Sequence, residues 1–114
     1  MEAEVVNQLE DQIYRSEKHI RKADALKRLR NNPDFIQLIE QDYLTELAAK
    51  AALYKGSDEC DGPMLNTLYD KRIIGVGQFN DYLHSIETNA DIAEQTIAAC
   101  RAEIVNIESN EGDE

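Results

Sequence analysis

Few side chains in this chain are of types that do chemistry, and their spacing limits what they could do. The two histidines, His19 and His84, have no Cys or His three or four residues away, so neither starts a helical metal-binding pair. His19 lies beside Ile20 in a basic stretch and His84 follows Leu83, and both read as surface or boundary residues. Of the two cysteines, Cys60 falls in an acidic loop. Cys100 falls on an apolar helical seam, where a small buried hydrophobe is the natural reading. Nothing in their placement indicates an oxidising compartment. Asp58, Glu59 and Asp61 resemble the start of a calcium loop, but the later glycine and the closing glutamate are missing, so a merely solvated loop is expected. Gly75-Val76-Gly77 lacks the third glycine and the preceding strand of a dinucleotide turn. No nucleophile elbow and no glycine-rich phosphate loop is visible. The sequence therefore points to no catalytic residue, no cofactor and no metal, and the chain reads as non-enzymatic.

The elements that carry these residues are helical. Phe79, Leu83, Ile86, Ala90, Ala93, Ile97, Cys100, Ile104 and Ile107 are separated by steps that alternate between four and three residues. The mean step of about 3.5 residues puts all nine on one seam of a helix, in the manner of a coiled coil. Val6, Leu9, Ile13, Ser16, Ile20 and Ala23 repeat that period in a first helix over about 3–30, with a weak middle because Ser16 and Ala23 bury little. Asn31-Asn32-Pro33-Asp34 ends it: the residue before a proline is pushed out of the helical region, Asn32 can cap the next helix, and Pro33 needs no amide donor there. A second helix over about 33–54 carries Phe35, Ile36, Ile39, Tyr43, Leu47, Ala51 and Tyr54, widened by Leu38, Leu44 and Leu53, a stripe broad enough for two neighbours. Gly56 is read as its end. Pro63 opens a third helix to about 108, with Met64, Leu65, Leu68 and Tyr69 on its apolar side. Gly75 and Gly77 imply a kink or a close backbone approach, each glycine costing about 1 kcal/mol in a helix.

The composition sets the outer bounds. Leu, Ile, Val and Phe make up 27 of 114 residues, above the roughly 20% below which a highly charged chain stays disordered. The N-terminus is acidic without a signal-like apolar run, and no stretch has 18 consecutive apolar residues, so a soluble intracellular protein without a membrane span is expected. The net charge of −11 is unevenly spread. Residues 15–30 carry Arg15, Lys18, Arg21, Lys22, Lys27, Arg28 and Arg30 against Glu17 and Asp24, whereas residues 31–114 carry five basic and 17 acidic residues. Such asymmetry argues for charged contacts with a partner or for self-association. A basic stripe could meet phosphate, but the acidic remainder would repel nucleic acid and only Tyr14 interleaves the run.

The run Asn32-Pro33-Asp34-Phe35, with Ile39, Tyr43-Leu44, Glu46 and Ala48-Ala49, resembles a pattern in small all-helical proteins encoded by tailed bacteriophages. Ile73-Ile74-Gly75-Val76-Gly77-Gln78-Phe79, with Tyr82-Leu83, resembles that family's second signature. The resemblance covers about residues 20–105, and its motifs are a helix cap and a packing signature. It departs from the family in a short middle loop and in Asn89, Gln95 and Thr96, where acidic residues are usual. The resemblance implies a viral protein, one associated with particle assembly, with no catalytic residues to carry over.

Together these readings predict an all-α protein. A helical hairpin (about 3–30 and 33–54) packs with a long C-terminal helix (about 63–108), forming a single domain over 1–108 followed by an acidic flexible tail over 109–114. Helices one and three should lie side by side, and the nine-residue seam is longer than helix two can cover, so a homo-oligomer is expected. The leading functional reading is a structural or assembly protein of the virion. The alternative is an acidic phage protein that binds and inhibits or adapts a host protein, as a nucleic-acid mimic for instance. Its expected place is the bacterial host cytoplasm during infection, the virion, or both.

Overall fold

The chain is entirely helical among the residues described in the computed structural model, 2–57 and 62–112, apart from the short turns that join the helices. Helix α1 spans Glu2–Arg30. Glu2 and Glu4 sit in its first turn and Lys27, Arg28 and Arg30 in its last, each sign matched to the helix dipole. After Asn31 and Asn32 the chain is helical again through α2 (Pro33–Phe35), a π-helix (Ile36–Leu47) and α3 (Ala48–Lys55). Right-handed helical backbone runs through both junctions, so residues 33–55 form one middle helix. Helix α4 spans Pro63–Gly112.

The start of the middle helix follows from the local sequence. Asn32, extended as a residue before proline must be, accepts hydrogen bonds on its side-chain oxygen from the amides of Asp34 (2.9 Å) and Phe35 (3.4 Å). Its end differs in mechanism from the usual left-handed glycine cap: Gly56 keeps a right-handed φ of −85°. The glycine that adopts positive φ is Gly62 (91°), whose carbonyl accepts from the Asn66 amide and so opens α4.

The middle helix is wound more loosely than an ordinary α-helix, a feature the sequence reading does not anticipate. Its covered residues form two adjoining rows with a strict four-residue repeat, Phe35, Ile39, Tyr43, Leu47 and Ala51 beside Ile36, Glu40, Leu44 and Ala48, and the residues between them are exposed. On a regular α-helix a four-residue repeat drifts by about 40° per step, so the stripe would wind nearly half way round between Phe35 and Ala51. A π-turn, bonded from residue i to i+5, takes up that drift and keeps both rows toward their neighbours. The Thr45 hydroxyl follows the same geometry and donates to the Glu40 carbonyl, five residues back, at 2.8 Å.

Helix α4 passes through Gly75 and Gly77 without a break. A Cβ at Gly75 would come within 3.9 Å of the Tyr43 hydroxyl, and one at Gly77 would meet nothing within 4 Å, so no other backbone approaches either glycine. The helix also continues past Glu108 to Gly112, so residues 109–112, assigned to the flexible tail from sequence, are helical.

The chain divides into two compact units: residues 1–26 with 85–114, and residues 27–84. In the first unit α1 lies against the C-terminal part of α4. The pair is antiparallel, since Gln12 meets Cys100 and Glu17 meets Arg101, while Ile20 shares a groove with Glu94 and Ile97. Its buried residues are Ser16, Leu26, Ala90, Ala93, Ile97 and Cys100. Several of these are small, so this core gains little per position at roughly 0.8 kcal/mol per buried methylene. In the second unit the middle helix runs antiparallel to the first part of α4. Tyr43 meets Phe79 edge to face at 5.7 Å between centroids, Tyr54 stacks on Tyr69 at 5.8 Å, and Lys55 pairs with Asp70. Arg30 at the end of α1 reaches Glu40 at 3.4 Å. Ala51, Val76 and Leu83 are the buried apolar residues of this unit.

Candidate interaction surfaces

The nine seam residues of α4 are covered within the chain. Leu83, Ala90, Ala93, Ile97 and Cys100 are buried, and Phe79, Ile86, Ile104 and Ile107 are half-buried. Phe79 and Leu83 belong to the second unit and the other seven to the first. None of the nine is left exposed, so the seam has no surplus of its own to offer a second copy. Contact between copies would have to use other side chains. On α1 the matching residues Val6, Leu9, Ile13, Ser16, Ile20 and Ala23 are likewise buried or half-buried. Among the described residues no fully buried side-chain nitrogen or oxygen lacks a hydrogen-bond partner. The Cys100 thiol is free and buried, and donates to the Gln12 side-chain oxygen at 3.6 Å.

The basic run of residues 15–30 is shared between the units. In the first, Arg15, Lys18, Arg21 and Lys22 carry the charge, and all four are exposed. The Arg15 guanidinium donates to the Asp11 carbonyl at 3.4 Å, and the Lys18 ammonium lies 5.0 Å from the centre of the Tyr14 ring. Glu17, four residues before Arg21, is instead 3.9 Å from Arg101 on α4. In the second unit Lys27 and Arg28 are exposed and Arg30 is half-buried beside Glu40. An exposed pair of this kind contributes about 0–1 kcal/mol.

The apolar side chains that lack cover are elsewhere, and sequence periodicity gives them no separate role. On α4 Pro63, Met64, Thr67, Leu68 and Lys71 line an open groove. Met64 is 85% exposed and Leu68 42%. Leu53 on α3 is 75% exposed, and Leu38 on the π-helix 59%. The sequence pattern puts Met64 and Leu68, four residues apart, on the apolar side of the third helix. What separates them from covered residues is their position in the first turns of α4, beside a partner helix that ends at Lys55.

His19 and His84 both lie at the surface. Among the described residues no group of three or more His, Cys, Asp or Glu side chains is placed to hold a metal ion, and no helix is long and apolar enough to cross a membrane. Cys60 and the acidic triplet Asp58, Glu59 and Asp61 lie outside the described residues. Comparison with protein-family models, with curated proteins and with solved structures found no match.

Proposed function

We propose that this chain is a non-enzymatic protein of a tailed bacteriophage that acts by packing its helices against another protein, in the assembly or structure of the virion. The observation that supports packing is the open apolar groove on α4, where Met64 and Leu68 stand in solvent. A methionine side chain adapts to many partner surfaces, and a grouped apolar exposure of this kind marks contact sites more often than isolated exposed residues do. The phage setting rests on the resemblance of Asn32-Pro33-Asp34-Phe35 and of residues 73–79 to the phage family's two signatures. The chain would act in the host cytoplasm during infection, in the particle, or in both.

In the test, tagged chain is followed through particle purification from an infected culture. The chain should co-sediment with particles or their assembly intermediates. Met64→Glu with Leu68→Glu should move it to the soluble fraction with its helical circular dichroism unchanged. Recovery of this variant in particles at the wild-type level would refute the apolar groove as the contact. A second reading, an acidic protein that binds and inhibits or adapts a host protein, is favoured by the charge of the first unit, 14 acidic residues against five basic. A salt-sensitive complex with a host protein, together with absence from purified particles, would select it.

A further inference from the structure

The first unit has two unlike sides. On one, Glu17, Ile20, Glu94, Ile97, Ala98 and Arg101 line an open groove of about 290 Å³ between α1 and α4. Ile20 and Ile97 make its floor apolar. Its rim is acidic well beyond those six residues, because side chains seven apart on a helix fall within about 20° of one line. Glu10 and Asp24 stand seven residues to either side of Glu17, and Glu87 stands seven before Glu94. Glu17 and Glu94 line the groove itself and Glu10, Asp24 and Glu87 extend their rows along the two helices, against the guanidiniums of Arg101 and of Arg21, four residues after Glu17.

The other side of α1 is basic. Arg15, Lys18 and Lys22 follow one another at steps of three and four residues on the solvent side of the helix, with the acidic Asp11, seven residues before Lys18, on the same line. Lys22 is about 140° around the helix from Glu17 and about 160° from Ile20, so this face points away from the groove. Tyr14, 58% exposed, lies beside it with Lys18 over its ring.

We propose that the acidic groove of one copy receives the basic face of a second, with Lys18 and Lys22 against the carboxylates of Asp24 and Glu94 and the Tyr14 ring over the apolar floor. The complementarity of charge selects a second copy as the occupant. The chain carries both halves of the contact, in the same unit and on opposite sides. Such a contact is heterologous: each pairing leaves one groove and one basic face unused, so it can repeat into a ring or a filament. This inference rests on the reading of the chain as a protein that works through contacts, and it names the partner and the polarity of one such contact.

The experiment pairs two charge reversals. A groove variant (Asp24→Lys with Glu94→Lys) keeps its basic face, and a face variant (Lys18→Glu with Lys22→Glu) keeps its groove. Light scattering after size exclusion should show the wild-type mass rising with concentration at low salt and returning to 12.9 kDa at high salt. Each variant alone should remain at 12.9 kDa at low salt. Mixed in equal amounts, they should regain assembly, because the unchanged face of one matches the unchanged groove of the other and the reversed acidic face matches the reversed basic groove. Circular dichroism checks that each variant is folded, and the neutral pairs Asp24→Asn with Glu94→Gln and Lys18→Gln with Lys22→Gln replace the corresponding reversal where it is not. A wild type that stays monomeric at low salt, variants that assemble as the wild type does, or a mixture that fails to pair would each overturn the proposal. None of these outcomes decides the functional reading, which stands or falls on co-sedimentation with particles.

Discussion

At the scale of single residues, four side-chain positions have calculable effects. Asn32 holds two amides that would otherwise lack partners, so Asn32→Ala should lower stability by about 1 kcal/mol in urea denaturation, and Asn32→Gly by only a few tenths. The glycines divide by their surroundings. Gly77 sits mid-helix with nothing within reach of an added methyl, so Gly77→Ala should raise stability by about 1 kcal/mol. Gly62 has φ of 91°, so Gly62→Ala should cost about 1–2 kcal/mol, although the space around it is open. Opposite thermal shifts for these two changes would show that conformation, and not crowding, sets the requirement for glycine. Ile97 is 6% exposed, and truncation to Ala should cost about 2–5 kcal/mol. Ile97→Asp should unfold the first unit, read as loss of helical circular dichroism. A folded, fully helical Ile97→Asp protein would show that the position is not part of a core.

At the scale of elements, the π-helix gives the sharpest contrast. Leu38 falls between the covered rows and Leu44 within one. Leu38→Ala should change stability by less than about 0.5 kcal/mol, and Leu44→Ala should cost clearly more. Tyr43 and Phe79 meet edge to face, so a double-mutant cycle through Tyr43→Ala and Phe79→Ala should return a coupling of about 0.5–1.5 kcal/mol. These elements also mark what was legible in the sequence. The long seam, the first helix and the Asn32-Pro33 boundary can be read because each follows a local rule of period or cap. The π-winding is present as a four-residue repeat from Phe35 to Ala51, but against a fixed period of 3.6 it looks like one broad stripe. The glycine pair at 75 and 77 leaves a kink or a close approach open. The answer depends on Tyr43, more than thirty residues away in sequence, which the local pattern around the glycines does not contain. Which apolar residues stay uncovered is not legible for the same reason: Met64 and Leu68 differ from the buried Val76 and Leu83 only in what lies opposite them.

At the scale of the molecule, charge acts over distances that packing does not reach. With a net charge of −11, of which the first unit carries most, like charges oppose the compact state. The Debye length falls from about 30 Å at 0.01 M salt to about 10 Å at 0.1 M, so added salt should screen that repulsion. At concentrations where the chain is monomeric, its thermal midpoint should therefore rise with sodium chloride over this range. A midpoint that falls instead would mean that the attractive pairs, Glu17 with Arg101 and Arg30 with Glu40, outweigh the repulsion.

The buried thiol of Cys100 turns this fold into its own stopwatch. A thiol 5% exposed between two helices cannot be reached by an alkylating reagent until the helices part. The rate at which mass spectrometry finds the peptide bearing Cys100 labelled therefore counts openings of the first unit, with no probe added to the chain. Salt or a bound second copy would each be felt there as a slower clock.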